Sequence, residues 1–83
     1  MFKLKAPDGT NNLCGRKLAR LRAEHDPPLS QRRLAQMLQV KGYDVDNHVI
    51  RRIELGERFV TDIELVMLSD VLGVSLDELL RKD

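Results

Sequence analysis

One signal occurs four times in this chain and limits what the chain can fold into. An apolar residue precedes a capping residue, and a second apolar residue stands four positions after the cap. The cap can accept a hydrogen bond from an unpaired backbone N–H in the first turn of a helix, and the apolar pair packs beside it. The four instances are Leu29-Ser30 with Leu34, Val45-Asp46 with Ile50, Val60-Thr61 with Leu65, and Val74-Ser75 with Leu79. They predict four helix starts, and Glu64 and Glu78 extend the last two to capping boxes.

Stop signals agree with these starts. Glycine follows Leu55 and Leu72, where a left-handed residue ends a helix, and Pro27-Pro28 prevents a first helix from continuing beyond His25. Between the signals, apolar residues recur every three or four positions. The sequence therefore predicts a compact all-α domain over residues 11–83, with a flexible N-terminal arm over residues 1–10. Its five helices are predicted at residues 13–25, 31–40, 47–55, 62–72 and 76–81.

Length and composition exclude several classes of protein. A chain of 83 residues forms one small domain and has little room for a large catalytic cleft. Its one cysteine, Cys14, cannot form an internal disulfide and has the spacing of a buried apolar residue. No Cys/His cluster has metal-ligand spacing, and no apolar run approaches the roughly 18 residues of a membrane span. We expect a cytoplasmic protein that is not an enzyme and has no cofactor, metal or evident small-molecule ligand.

The net charge of +1 hides an uneven distribution. Residues 1–58 contain 12 basic and 7 acidic residues, a net charge of +5, whereas residues 59–83 contain 2 and 6, a net charge of −4. Such a division indicates that one surface of the protein meets an anionic partner and another does not.

The predicted third helix combines an apolar face with a polar one. Val49, Ile50 and Ile53 face the core, and the other face carries Asn47, His48, Arg51 and Arg52 as one patch. Arginine, asparagine and histidine can read base edges in the major groove of DNA. This patch could also be an ordinary solvated helix face. Further side chains are candidates for contacts to flanking phosphates, namely Gln31, Arg32, Arg33, Lys41 and Arg58.

Four stretches together resemble one family. Residues 29–38 (LSQRRLAQML) and 49–56 (VIRRIELG) are similar to the second and third helices of the Cro and phage-repressor type (XRE) helix-turn-helix family. Residues 65–80, which include LGVSLDEL at 72–79, resemble the family's closing segment, and residues 16–22 occupy the place of its first helix. The resemblance covers residues 13–80 and implies a lambda-repressor-like fold.

The resemblance also implies a function and roles for residues. It makes residues 47–55 the recognition helix of a sequence-specific DNA-binding transcriptional regulator. Such a regulator is expected to come from a bacterium, a phage or a mobile element, and to act as a homodimer on a pseudo-palindromic operator. Gln31 matches a glutamine that contacts a phosphate. Arg22 and Glu54 match a structural ion pair between the first and third helices. We place the dimer contact at Leu76, Leu79 and Leu80.

The sequence departs from the family pattern in two places. Residues 39–45 lengthen the turn between helices two and three by about five residues, and Asp26-Pro27-Pro28 lengthens the preceding link. Tyr43, within the long turn, is expected to pack its ring on the domain rather than to touch phosphate. A protein-interaction or antitoxin-like adaptor on the same fold is the alternative function.

Overall fold

Five helices follow one another in the computed structural model of this protein, which describes residues 4–81 and contains no strand in that range. The prediction of an all-α domain of five helices is confirmed. Helices α2 and α4 have their predicted bounds, and the other three are shorter than predicted by one to three residues. The helices are α1 (Gly15–Glu24), α2 (Gln31–Val40), α3 (Asn47–Glu54), α4 (Asp62–Leu72) and α5 (Leu76–Leu80).

All four predicted caps form their hydrogen bonds. The backbone N–H donors and their acceptors are Arg33 N to Ser30 Oγ (2.9 Å), Val49 N to Asp46 Oδ1 (3.0 Å), Glu64 N to Thr61 Oγ1 (3.2 Å) and Glu78 N to Ser75 Oγ (3.1 Å). Only Thr61 completes the predicted capping box, since its own N–H donates to Glu64 Oε1 at 2.8 Å. An ion pair with Arg58 holds the Glu64 carboxylate in place (2.7 Å), whereas Glu78 is exposed.

Helix α1 begins two residues later than predicted, and its cap comes from outside the predicted helix. The side chain of Cys14, at the N-cap position, makes no capping bond. Asn12 Oδ1 instead accepts a hydrogen bond from Gly15 N at 2.8 Å. A Cβ atom on Gly15 would overlap the carbonyl oxygen of Ile53, so glycine allows the start of α1 to touch the end of α3.

One core joins the five helices. Cys14 is 1% exposed and packs as a small apolar residue, as predicted, and the partly buried Tyr43 packs against the same core. The assignment of Leu79 to a dimer contact is wrong, because Leu79 is fully buried, and Leu76 and Leu80 lie largely outside the core. The buried side chains are those of Cys14, Leu18, Leu29, Leu34, Ala35, Leu38, Ile50, Ile53, Met67, Leu68 and Leu79.

The long turn between α2 and α3 is closed by its own hydrogen bonds. Tyr43 N donates to Leu38 O at 3.0 Å, and Gln39 Nε2 donates to Val45 O at 2.8 Å. Gly42 provides the left-handed residue that the reversal requires, with φ of 93°. The extra residues therefore do not separate the two helices, and α3 packs directly on α2.

Candidate nucleic-acid interface

Helix α3 presents a polar face that a rigid core supports. Ile50 and Ile53 are fully buried on its inner side. On the outer side His48, Arg51 and Arg52 are exposed, whereas Asn47 is half-buried at the first position of the helix. The structure thus brings the four predicted base-reading residues onto one helix and leaves three of them open to solvent.

Four arginines near this face have side chains without a partner among the described residues. The side chains of Arg51 and Arg52 on α3, and of Arg32 and Arg33 in the first turn of α2, make no hydrogen bond or ion pair among residues 4–81. All four residues are exposed to solvent. Because α2 packs directly on α3, the two pairs of arginines belong to adjoining helices. Unpaired guanidinium groups on two adjoining helices provide donors in the fork geometry that suits phosphates and guanine edges.

Two other predicted phosphate contacts are already engaged within the chain. Arg58 Nη2 lies 2.7 Å from Glu64 Oε2, and Arg58 Nη1 donates to Phe59 O at 3.0 Å. Lys41 Nζ pairs with Asp70 Oδ2 at 3.0 Å. Lys41 also follows the C-terminal end of α2, about 15 Å along the helix from Gln31. These two cations therefore differ from the four arginines of α2 and α3 in already having carboxylate partners.

A partly buried polar network holds α3 against the first two helices. Arg22 donates through Nε to Glu54 Oε2 and through Nη2 to Glu54 Oε1, both at 2.8 Å. Its Nη1 donates to Leu29 O at 2.8 Å. The hydrogen bond from Arg22 to Glu54 raises the pKa of the guanidinium above its ordinary value. The ion pair that the resemblance predicts is thus present, and it fixes the last turn of α3.

Gln31 belongs to the same network. Its Nε2 donates to Glu54 Oε1 at 3.0 Å, so the Arg22–Glu54 pair orients the carboxamide at the head of α2. A carboxamide nitrogen carries two N–H groups, and this bond uses one of them. The residue is partly exposed, so its second N–H can serve as a donor to an external acceptor.

The N-terminal segment contributes an anchor that sequence reasoning missed. Asn12 Nδ2 donates to Ile53 O (3.1 Å) and Arg58 O (2.8 Å), just where α3 ends. Asn11 adds bonds from its N–H to Gly56 O and from Nδ2 to Glu57 O, both 2.8 Å. The signal for this anchor was the pair of adjacent asparagines before α1, a residue type favoured at helix caps.

The predicted flexible arm is partly a turn. Ala6 N donates to Thr10 O at 2.8 Å, and Gly9 N donates to Ala6 O at 2.9 Å. Asp8 Oδ1 accepts from both the N–H and the hydroxyl of Thr10, and these bonds lower the pKa of the Asp8 carboxyl. Residues 6–10 are therefore hydrogen-bonded to one another, and residues 1–3 of the predicted arm lie outside the described residues.

Other kinds of site find little support in residues 4–81. That range holds no group of three or more His, Cys, Asp or Glu side chains that could bind a metal. It also contains no helix with the length and apolarity to cross a membrane. Burial raises the pKa of the Cys14 thiol to about 11. The thiol is therefore protonated at neutral pH and is a poor nucleophile.

Comparison with known proteins leaves the family open. No protein-family model, no curated protein and no solved structure matches this chain. Any functional assignment thus depends on the residues of the interface themselves.

Proposed function

We propose that this chain is a sequence-specific DNA-binding transcriptional regulator that places α3 in the major groove. The observation that carries the proposal is the set of four exposed arginines on α2 and α3 whose side chains are unpaired among residues 4–81. An α-helix with its side chains is about 10–12 Å in diameter, which fits the width of about 12 Å of the major groove. The residues of the family resemblance support the same placement.

The exposed side chains fall into proposed base contacts and proposed phosphate contacts. Arg51, Arg52 and His48 are proposed to read base edges, and the half-buried Asn47 contributes where α3 enters the groove. Arg32 and Arg33 are proposed to bind flanking phosphates, with Gln31 held in register by Glu54. Lys41 and Arg58 would first have to exchange their carboxylate partners, so they are secondary contributors.

The proposed operator and setting follow from the mode of binding. Two copies are proposed to occupy the half-sites of a pseudo-palindrome, with centres roughly 34 Å apart. The acidic residues of the closing segment would then lie away from the phosphates. The proposed setting is the cytoplasm of a bacterium, including genes of phage or mobile-element origin.

Selection of bound duplexes from a random library tests the proposal. We expect enrichment of one pseudo-palindromic motif, and we expect Arg52→Ala to reduce discrimination at one base position by about 1–3 kcal/mol. Arg33→Ala is the matched control, because loss of a phosphate contact weakens all sequences about equally. Failure to enrich any motif would contradict the proposal, and an unchanged preference for Arg52→Ala would contradict the role of Arg52.

A protein-interaction or antitoxin-like adaptor is the second candidate function. Exposed apolar side chains favour it, notably Ile63 (72% exposed) and Val66 (53%) on α4. An adaptor of this kind would select no duplex, and substitution of the α3 arginines would leave its partner binding intact.

A further inference from the structure

A cavity of about 480 Å³ lies between the N-terminal segment and the last turn of α3. Its lining comes from three parts of the chain, namely residues within 6–17, residues 54–56 and Arg81. This volume falls within the roughly 300–1,000 Å³ of typical small-molecule sites. Local sequence signals do not reveal such a cavity, because its lining is assembled from residues far apart in the chain.

Hydrogen bonds and close packing hold the walls of this cavity in place. The turn at residues 6–10 is closed by its own backbone hydrogen bonds. Asn12 then joins the N-terminal segment to the end of α3 through two hydrogen bonds from Nδ2, at 2.8 and 3.1 Å. A Cβ atom on Gly56 would overlap the side chain of Thr10, so glycine allows the two walls to meet. These contacts form the cavity before any ligand arrives.

Part of the lining is apolar and open to solvent. Leu13 is 58% exposed and Leu55 is 52% exposed, and both side chains border the cavity. Ala6 and Pro7 add further apolar surface. Removing such surface from water is favourable, so a ligand with an apolar body binds here more tightly than a wholly polar one.

Two opposite charges of the lining have no ion-pair partner in the described part of the chain. Asp8 uses one oxygen, Oδ1, for both of its hydrogen bonds from Thr10, and its Oδ2 accepts none. The Arg16 guanidinium makes no hydrogen bond or ion pair among residues 4–81. Hydrogen bonds from Thr10 lower the pKa of the Asp8 carboxyl, and the positive charge of Arg16 lowers it further. The two groups therefore act on each other electrostatically and yet remain unpaired.

The other charged side chains of the lining are already engaged. Glu54 accepts two hydrogen bonds from Arg22, both at 2.8 Å. Arg81 pairs with Asp77 at 2.7 Å, and Lys17 also has an interaction of its own. Among the described residues, the cavity is thus left with one available carboxylate and one available guanidinium.

We propose that this cavity binds a small zwitterion with an apolar side chain, of the chemical class of the apolar amino acids. The carboxylate of the ligand accepts hydrogen bonds from the Arg16 guanidinium, and its ammonium group donates to Asp8 Oδ2. Its side chain covers Leu13 and Leu55. A simple anion would leave Asp8 unpaired beside it, and a simple cation would leave Arg16 unpaired. The polar face of α3 takes no part, so this inference is independent of the proposed function.

NMR titration of the isotopically labelled full chain with L-leucine, L-methionine and L-phenylalanine tests the inference. We expect at least one of them to bind saturably, with a Kd on the order of 1 mM, and to shift the amide signals of Leu13 and Gly56. Each amino acid has two analogues that lack one charge, which for leucine are isocaproate and isopentylamine. Both analogues should bind at least about tenfold more weakly than the amino acid, because each loses one charged hydrogen-bonding partner.

Substitutions in the lining separate the two charges. Arg16→Met should raise the Kd of the amino acid at least about tenfold and remove its advantage over the amine analogue, because no free cation is left for the carboxylate. Asp8→Asn should instead remove the advantage over the carboxylic acid analogue. Arg20→Met is the matched control, since Arg20 lies one turn further along α1, pairs with Glu24 and does not line the cavity. It should leave all these affinities unchanged.

The same spectra show that each variant is folded, so weaker binding is not confused with unfolding. A lack of saturable binding by all three amino acids would overturn the inference, and so would analogues that bind as tightly as their amino acids. Equal weakening by Arg16→Met and Arg20→Met would overturn it as well. Signal shifts confined to residues outside the cavity would show that the ligand binds elsewhere.

Discussion

Replacement of Glu54 by glutamine removes one charge of a largely buried ion pair and leaves the other in place. The side chain of Glu54 is only 8% exposed, and that of Arg22 is 20% exposed. The carboxylate accepts two hydrogen bonds from Arg22 at 2.8 Å and one from Gln31 at 3.0 Å. Glutamine keeps the shape but cannot neutralise the guanidinium, so a nearly buried charge is stranded.

The expected decrease in the free energy of unfolding is large relative to the total stability of the domain. Breaking a buried pair from one side costs about 3–5 kcal/mol, and the partial exposure of Arg22 places Glu54→Gln at the lower end, about 3 kcal/mol. A domain of 83 residues has a free energy of unfolding of about 4–12 kcal/mol. The variant should therefore lose at least a quarter of its stability.

Urea denaturation followed by circular dichroism measures this loss. Glu24→Gln is the control, since Glu24 pairs with Arg20 on the open surface of α1, where the side chains are 64% and 44% exposed. We expect that variant to change the free energy of unfolding by less than about 0.5 kcal/mol. Combining Glu54→Gln with Arg22→Met should cost less than the two single changes added together, because no charge is then stranded.

Two outcomes would refute this reasoning. Equal losses in the free energy of unfolding for Glu54→Gln and Glu24→Gln would show that burial adds nothing to the strength of the Arg22–Glu54 pair. Strict additivity of Glu54→Gln and Arg22→Met would show that the two side chains are not coupled in solution.

Three further predictions follow from the same structure. Asn12→Ala should destabilise the domain by about 2–3 kcal/mol, because it removes the cap of α1 and two bonds to the end of α3. Asn11→Ala removes one exposed side-chain hydrogen bond and should lower the free energy of unfolding by about 1 kcal/mol in the same denaturation assay. Equal losses of stability in the two variants would contradict the role of Asn12 as an anchor. The pKa of the Cys14 thiol is about 11 in the fold and 9.0 ordinarily, so the free energy of unfolding should fall as pH rises from 9 to 11. This decrease in the free energy of unfolding should be absent from the Cys14→Ala variant. A decrease of equal size in that variant would exclude the thiol as the cause. Finally, Arg33→Ala should reduce the slope of log K against log salt by about 1 in fluorescence anisotropy titrations with operator DNA, and an unchanged slope would exclude a phosphate contact.

Much of the fold could be predicted because its signals are local. Each capping residue acts on an N–H within three positions of itself, and each apolar spacing acts within one or two helical turns. Ser30 and Thr61 therefore mark the starts of α2 and α4 in the sequence as well as in the structure. The same periodicity predicts which face of α3 is exposed, the face that carries Arg51 and Arg52.

Other features of the candidate site depend on segments far apart in the chain. Lys41 and Arg58 read as free cations in the sequence, but packing brings Asp70 and Glu64 to them. Leu76 and Leu80 share the apolar spacing of Leu79, and yet the short α5 turns only Leu79 into the core. Periodicity indicates which residues share a face, but it does not indicate how wide a strip the neighbouring helices cover.

The sequence by itself determined that five short helices form, where they begin, and which of their side chains are polar or apolar. Those properties arise from hydrogen bonds and packing between residues a few positions apart. Only the tertiary structure decided which cations remain unpaired, how Asn12 joins the start of α1 to the end of α3, and which apolar side chains stay exposed on α4 and α5. These depend on contacts between residues up to 46 positions apart, which local signals do not specify.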